Sequence, residues 1–246
     1  MTAIPRVSVI IPTLNEEKYL PILLASLQKI AAPLQIIVVD GGSTDNTAAV
    51  AEIAQGTFAN ETTLQFIAHS KKGIALQRNI GASYATSNLL LFCDADIIAT
   101  STVAYQLLIS DFIKNNYVVA TSRMVPLEKT ILTRAVHTAA YFAQKMLALT
   151  GRPFFGGAFL LTTREAFFKV GGFDENLRVS EDVDYSLRVS KNGTFKIYAL
   201  PVQVSTRRFQ KYGYGWVFQN PMTIVRLIRK GKITNKEKIF YPFGEW

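Results

Sequence analysis

Only one of the 246 residues is a cysteine, Cys93, so no internal disulfide and no cysteine-based zinc site is available, which suits a reducing compartment. Histidine is nearly as scarce, and His69 and His137 lie far apart without the spacing of a ligand pair. Long apolar runs are missing too. The longest stretch without a charged residue, Asn79 to Cys93, has fifteen residues and is rich in Asn, Ser, Thr and Gly, whereas a spanning helix needs about 20 apolar ones. No membrane crossing is expected. The opening MTAIPRVSVIIPTLNEE sets Pro5, Pro12 and acids where a secretory signal needs an unbroken apolar core. A cytosolic location is expected, with the inner face of a membrane as a further place. The turn after the first apolar run reads Pro12-Thr13-Leu14-Asn15, without the G-x-G-x-x-G of a dinucleotide site, and no P-loop lysine motif occurs.

What the chain does contain is the mix of a globular protein with a full core: 49% hydrophobic and 18% charged residues exclude disorder, collagen and coiled coil. The net charge of +9 is unevenly placed. Residues 205–246 hold nine Lys and Arg against two Glu, so +7 of it sits in the last 42 residues. Such a tail is an electrostatic footprint for an anion: nucleic acid, an acidic lipid surface or a phosphorylated substrate.

Along the first hundred residues strand-like and helix-like segments alternate. Val7 to Ile11 is a β-branched run, followed by Leu20, Leu23, Leu24 and Leu27 at helical spacing, with Pro21 tolerated only in the first turns. Gln35 to Val39 and the turn Asp40-Gly41-Gly42 lead to Ser43 or Thr44 as N-cap of a helix through Ala54. Leu64 to Ala68 precedes a helix near Ile74 to Ala85, and Leu89 to Cys93 ends in Asp94-Ala95-Asp96. Strands apolar on both faces and joined by helices predict an α/β fold, a mostly parallel central sheet with helices on both faces. The second half is less regular: a strand at Tyr117 to Thr121, an amphipathic stretch from Ile131 to Leu149, Gly156-Gly157 before Ala158 to Leu161, an acidic run at 180–184 opening a helix to Ser190, and a strand near Phe195 to Leu200. One domain over 1–204 and a basic, aromatic extension over 205–246 is the expected division.

In such sheets ligands bind beyond the carboxyl ends of the strands, where Asp40, Asp94 and Asp96 all fall. Residues two apart on an extended chain share a face. Asp94 and Asp96 would therefore repel unless a cation lies between them, and with no His or Cys beside them that ion would be Mg²⁺ or Mn²⁺; the bland alternative is a solvated acidic turn. Asp40 suits a hydrogen bond to a base or ribose, or equally an Asx-turn. Glu181 and Asp182 open a helix, where first-turn acids are routine; the functional alternative is a general base, its pKa held low by the helix. Asp184 and Arg188 make an ordinary i,i+4 pair. Lys71, Lys72 and Arg78 either face a nucleotide or form a solvated surface.

Five ordered blocks, VSVIIPTLNEEKYLPILLASL, IIVVDGGSTDNT, GIALQRNIGASYATSNLLLFCDADI, GGAFLLTTREAFFKVGGFDE and SEDVDYSLRV, resemble the family 2 glycosyltransferases over roughly residues 6–200. The resemblance implies a GT-A fold, a nucleotide-sugar donor, most often of uridine, a divalent metal and inversion at the anomeric carbon. It implies that Pro12, Thr13 and Glu16 form the first nucleotide loop, that Asp40 pairs with the base and that Arg78 also meets the nucleotide. Asp94 and Asp96 match the D-x-D, the first acid touching ribose or metal and the second the metal, so that Asp40, Asp94 and Asp96 should meet around the cation that holds the donor phosphates. Asp182 matches the catalytic base with Glu181 beside it, and Gly156 and Gly157 match a loop that admits the acceptor.

The acceptor is not specified by these blocks. Arg207 and Arg208 suit a diphosphate or an acceptor phosphate, and Tyr212-Gly213-Tyr214-Gly215-Trp216 loosely resembles the Q-x-x-R-W of processive members. The stretch Ile131 to Leu149 is expected as core or interface packing rather than a membrane helix. With the tail it still permits a lipid-linked acceptor and peripheral membrane contact. A nucleotidyltransferase should show a Gly-rich, Arg-bearing loop after the first strand, and none is present; no nucleic-acid reading motif accompanies the basic tail. A catalytically silent carbohydrate- or nucleotide-binding relative is the remaining alternative.

Overall fold

The computed structural model describes residues 4–59, 61–99, 101–177 and 180–213. Strand β1 (Val7–Thr13), helix α1 (Leu20–Gln28), β2 (Leu34–Asp40), α2 (Thr47–Ala54), β3 (Thr63–Ala68), α3 (Ile74–Tyr84) and β4 (Leu89–Cys93) follow the expected alternation. The second half supplies β5 (Ile97–Ile98), α4 (Thr102–Lys114), β6 (Val119–Pro126), α5 (Ile131–Leu149), β7 (Phe159–Thr163), α6 (Arg164–Lys169), α7 (Glu181–Val189), β8 (Phe195–Val204) and α8 (Arg207–Tyr212). The strands form one sheet in the order β3-β2-β1-β4-β7-β6-β8-β5. Within the first half every pairing is parallel. Beyond β4 the directions are mixed, with β7 antiparallel to both β4 and β6 and β8 parallel to β6.

Period-two alternation sends each strand's side chains to two apolar layers. Val7, Val9, Ile11, Ile36, Val38, Leu89, Leu91 and Cys93 pack beneath the leucines of α1 and beneath Tyr105, Ile109 and Phe112 of α4. Ile10, Ile37, Val39, Leu90 and Phe92 meet α3, Phe167 of α6, Phe173, and Tyr185 and Val189 of α7. The approach of α3 is close enough that a Cβ on Gly81 would lie 2.4 Å from Ile10 Cγ2, so only glycine fits there. Pro12, which has no N–H to donate, falls beyond Ile10↔Phe92, where the pairing of β1 with β4 ends.

Several boundaries differ from expectation for identifiable reasons. Helix α2 starts at Thr47 with Asn46 as N-cap, because Ser43 and Thr44 are used in the loop described below. Strand β6 begins two residues later than Tyr117 and runs on to Pro126. Helix α4, not anticipated, has Ser101 as N-cap, its side chain accepting from the amide of Ala104, and buries Tyr105, Leu108, Ile109 and Phe112 at helical spacing. Among the described residues no helix is long and apolar enough to cross a membrane. The Tyr214-Gly215-Trp216 segment, the rest of the basic tail and the side chain of Arg208 lie outside the described residues.

Candidate active site

The carboxyl ends of β1 and β2 are tied into one loop pair. Asn15, in the left-handed region at φ 58°, has its amide donating to Ser43 Oγ at 2.8 Å and its Oδ1 accepting from the Thr44 amide at 2.9 Å. The Glu16 amide donates to Thr47 Oγ1 at 2.7 Å. Asp40 accepts from Thr13 Oγ1 at 3.0 Å, from the Ser43 hydroxyl, and from the amides of Gly42 and Ser43 at 3.0 and 2.8 Å. Four donors fill a carboxylate's acceptor positions. Asp40 therefore makes the Asx-turn, and a base contact would need one of these donors to swing away. Gln77, which the motif reading passed over, is fully buried and its Nε2 donates to the carbonyls of both Thr13 and Val39, at 2.7 and 2.8 Å. Its only sequence signal is its place immediately before Arg78 on α3.

Arg78 is enclosed. Its guanidinium donates to Asp94 at 2.8 Å and to Glu181 at 2.7 Å, stacks over Phe173 at 5.3 Å, and is 1% exposed, which makes the solvated-surface alternative untenable for it. Lys71 and Lys72 are exposed. A Cβ on Gly157 would sit 2.6 Å from both terminal nitrogens of Arg78. The glycine thus admits the arginine, where an acceptor had been expected, while a Cβ on Gly156 would meet nothing within 4 Å. The Gly157 amide also donates to Asp182 Oδ2 at 2.9 Å, and the Val183 amide to Asp182 Oδ1 at 2.8 Å. Ser180, just before α7, is left-handed at φ 64°, a conformation that costs a non-glycine residue about 1–2 kcal/mol.

A second arginine arrives from far along the chain. Arg207, on α8, grips Glu16 with both terminal nitrogens at 2.6 and 2.8 Å, lies 3.1 Å from Asp96 Oδ2 and covers the Tyr19 ring at 4.4 Å. Glu128 secures the approach, accepting from the Thr206 amide and hydroxyl at 2.9 and 2.6 Å. A cavity of about 580 Å³ opens beside it, between Asn15, Lys18, Tyr19, Thr44 and Arg207. Residues 205–207, expected as the start of an extension, are thus packed against the first loop.

Burial dominates the electrostatics. It pushes Glu16 up to about 7 against the pull of Arg207. Glu181 goes the same way, to about 7, with Asp182 adding repulsion and Arg78 opposing. Asp182 is raised by burial too, against Arg78 and its two backbone donors. The expectation that the helix holds it low is wrong, because desolvation outweighs the helix end. Arg78 is driven further up by Asp94 and Glu181, despite burial.

The sequence reading also brought Asp40, Asp94 and Asp96 around one ion. In the structure each has its own partner: Asp40 in its turn, Asp94 on Arg78 and Asp96 beside Arg207. Two guanidinium groups supply the countercharge expected of a metal. Among the described residues no group of three His, Cys, Asp or Glu is arranged to hold a metal ion by itself. Asp94 and Asp96 nonetheless offer only oxygen donors, which fits Mg²⁺ or Mn²⁺ provided that phosphate oxygens and water complete the coordination.

A three-layered sheet of this order, with acids and arginines at its carboxyl edge, defines an α/β fold of GT-A type. Residues 8–171 match the family described as Glycosyl transferase family 2, well over half the chain, and the chain belongs to that family. The match ends before Glu181 and Asp182. The 4,4'-diaponeurosporenoate glycosyltransferase of Staphylococcus haemolyticus is 35% identical over 111 residues, 45% of this chain and 29% of that protein. The chain thus spans under a third of that relative. Among solved structures, the mannosyltransferase PcManGT from Pyrobaculum calidifontis, in complex with GDP-Man and Mn²⁺, has a TM-score of 0.70 at 18% identity, covering 95% of this chain and 67% of that one. S. aureus TarS 1-349 in complex with UDP-GlcNAc has a TM-score of 0.66 at 20% identity, covering 92% and 66%. These two likenesses concern the fold.

Proposed function

We propose that this protein transfers a sugar from a nucleotide-sugar donor, a UDP-sugar first among them, to an acceptor hydroxyl or phosphate with inversion at the anomeric carbon. The observation that carries the reading is the convergence of Arg78, Asp94, Glu181 and the Gly157-held Asp182 at the carboxyl edge of the sheet. In this reading the loop pair of Thr13, Asn15, Glu16 and Asp40 receives the nucleotide. Asp182 accepts the proton of the acceptor hydroxyl as its oxygen bonds the anomeric carbon; the bond to the diphosphate breaks on the opposite face and takes its electron pair with it. A raised pKa brings such a base nearer neutral pH, where proton transfer is more effective. Glu181, committed to Arg78, positions rather than reacts. Asp94 and Asp96 would hold a divalent ion, which supplies charge stabilisation to the leaving diphosphate when bound. Arg207 is suited to diphosphate oxygens by its planar fork.

A lipid-linked acceptor is the finer reading, supported by the cationic tail and consistent with the relative named for 4,4'-diaponeurosporenoate. The test is a role split. Asp182→Asn is expected to lower transfer by about 10²–10⁴-fold with donor affinity kept, and Asp96→Asn to weaken Mn²⁺-dependent donor binding. Equal loss of donor affinity in both variants would contradict the assignment. A thermal-shift panel of UDP-, GDP- and dTDP-sugars with Mn²⁺ decides the base, since a ligand at about 100 times its dissociation constant stabilises by about 2.7 kcal/mol.

A further inference from the structure

Helix α5 was expected to pack in the core or in an interface; within this chain it buries only Thr133 and Tyr141, the latter beneath Arg123 at 5.4 Å. Ile131 is 91% exposed, Leu149 82%, Met146 64%, Phe142 60% and Leu132 50%. At 100° per residue these five fall within an arc of about 100°, a single stripe running the helix's length of roughly 28 Å. Ala135 and Ala139, both exposed, lie within the same arc. The helix contains no acid, and Arg134 and Lys145 flank the stripe on one side.

Next to it, a cavity of about 620 Å³ between α5 and β6 is lined by Arg123, Lys129, Arg134 and His137 and, among the described residues, by no carboxylate. The neighbouring Glu128 is turned to Thr206. An apolar stripe with a cationic flank is the composition of a helix that lies in a membrane interface. A second copy of the chain would bring a net charge of +9 to this cationic rim, and the chain's own residues 214–246, with six Lys and Arg against two Glu, would bring +4. Both are repelled, whereas an anionic lipid surface is attracted.

We infer that α5 is an in-plane docking helix for an anionic bilayer, its stripe in the acyl boundary and the cations of the adjoining cavity on headgroup phosphates. This deepens the lipid-linked reading without depending on transfer, since docking needs no sugar nucleotide. The experiment is co-sedimentation of the full chain with vesicles of phosphatidylcholine alone or with 30% phosphatidylglycerol, about 0.3 mole fraction of the charged lipid. Binding is expected to be confined to the anionic vesicles and to weaken with salt. Phe142→Glu/Met146→Glu should lower the partition coefficient by about tenfold or more, with the melting temperature kept because both side chains are exposed. Arg134→Glu/Lys145→Glu should remove the preference for anionic vesicles. The inference is overturned if the wild-type chain stays in the supernatant, if the double glutamate variant binds like wild type while removal of 214–246 abolishes binding, or if sedimentation velocity shows a dimer that the same variant dissolves.

Discussion

Arg78 and Arg207 do similar electrostatic work by opposite routes. Each bridges two acids and lies against an aromatic ring. Arg78 comes from α3, inside the first parallel half, and is walled in by Gly157 and Phe173. Arg207 arrives 191 residues after its partner Glu16, from a short helix hung on Glu128 and Thr206. Removing either strands buried charge, Glu181 in the first case and Glu16 and Asp96 in the second, so position in the fold separates a strut enclosed within one half of the sheet from a clamp delivered by a short helix beside an open cavity. Both arginines hold a carboxyl that burial pushes up to about 7, Glu181 on Arg78 and Glu16 on Arg207.

Four measurements would break or sharpen that contrast. Arg78→Ala leaves the buried Glu181 and the half-buried Asp94 without their cation, and should cost about 3–5 kcal/mol, seen as a melting temperature lower by roughly 6–20 °C. Gly157→Ala should cost about 1–3 kcal/mol through overpacking against the same guanidinium and also lower transfer, as its amide holds Asp182; an unchanged melt would mean that Arg78 has room to shift. Arg207→Ala should cost less stability, about 1–2 kcal/mol, while raising the affinity for Mn²⁺ alone and lowering that for nucleoside diphosphate in calorimetry. Equal destabilisation by the two arginine variants would erase the distinction.

The smallest effect expected is a slope with pH. Glu16 is raised on folding from its ordinary 4.5 to about 7, so the unfolded chain ionises first. Its contribution to stability is full below pH 4.5 and is lost as pH rises towards 7. In chelator-containing buffer the melting temperature of wild type minus that of Glu16→Gln should fall over this window, and a rise would refute the sign.

The first half was legible because its information is local. Continuous apolar, β-branched runs in VSVIIPT and IIVVD, and acids placed at the ends of strands, specify both the elements and the edge where Asp40 and Asp94 stand. Gln77 and α4 escaped notice because a buried glutamine and a modest amphipathic run look ordinary until their partners are known. Asp182 could be named from its block, yet its raised pKa could not, since desolvation depends on what packs around α7. What Gly157 stands against escaped the sequence for the same reason: a missing Cβ has meaning only when Arg78 is seen beside it.

Composition, hydrophobic period and ordered motifs were enough to determine an α/β sheet of this family and the residue types at its carboxyl edge, because backbone hydrogen bonding and apolar burial act over a few residues at a time. Which cation meets which acid, and that the apolar side of Ile131–Leu149 faces outward, were decided by tertiary structure alone. Ion pairs between residues 103 and 191 positions apart form only after the sheet has closed, and their energies depend on the water that folding excludes.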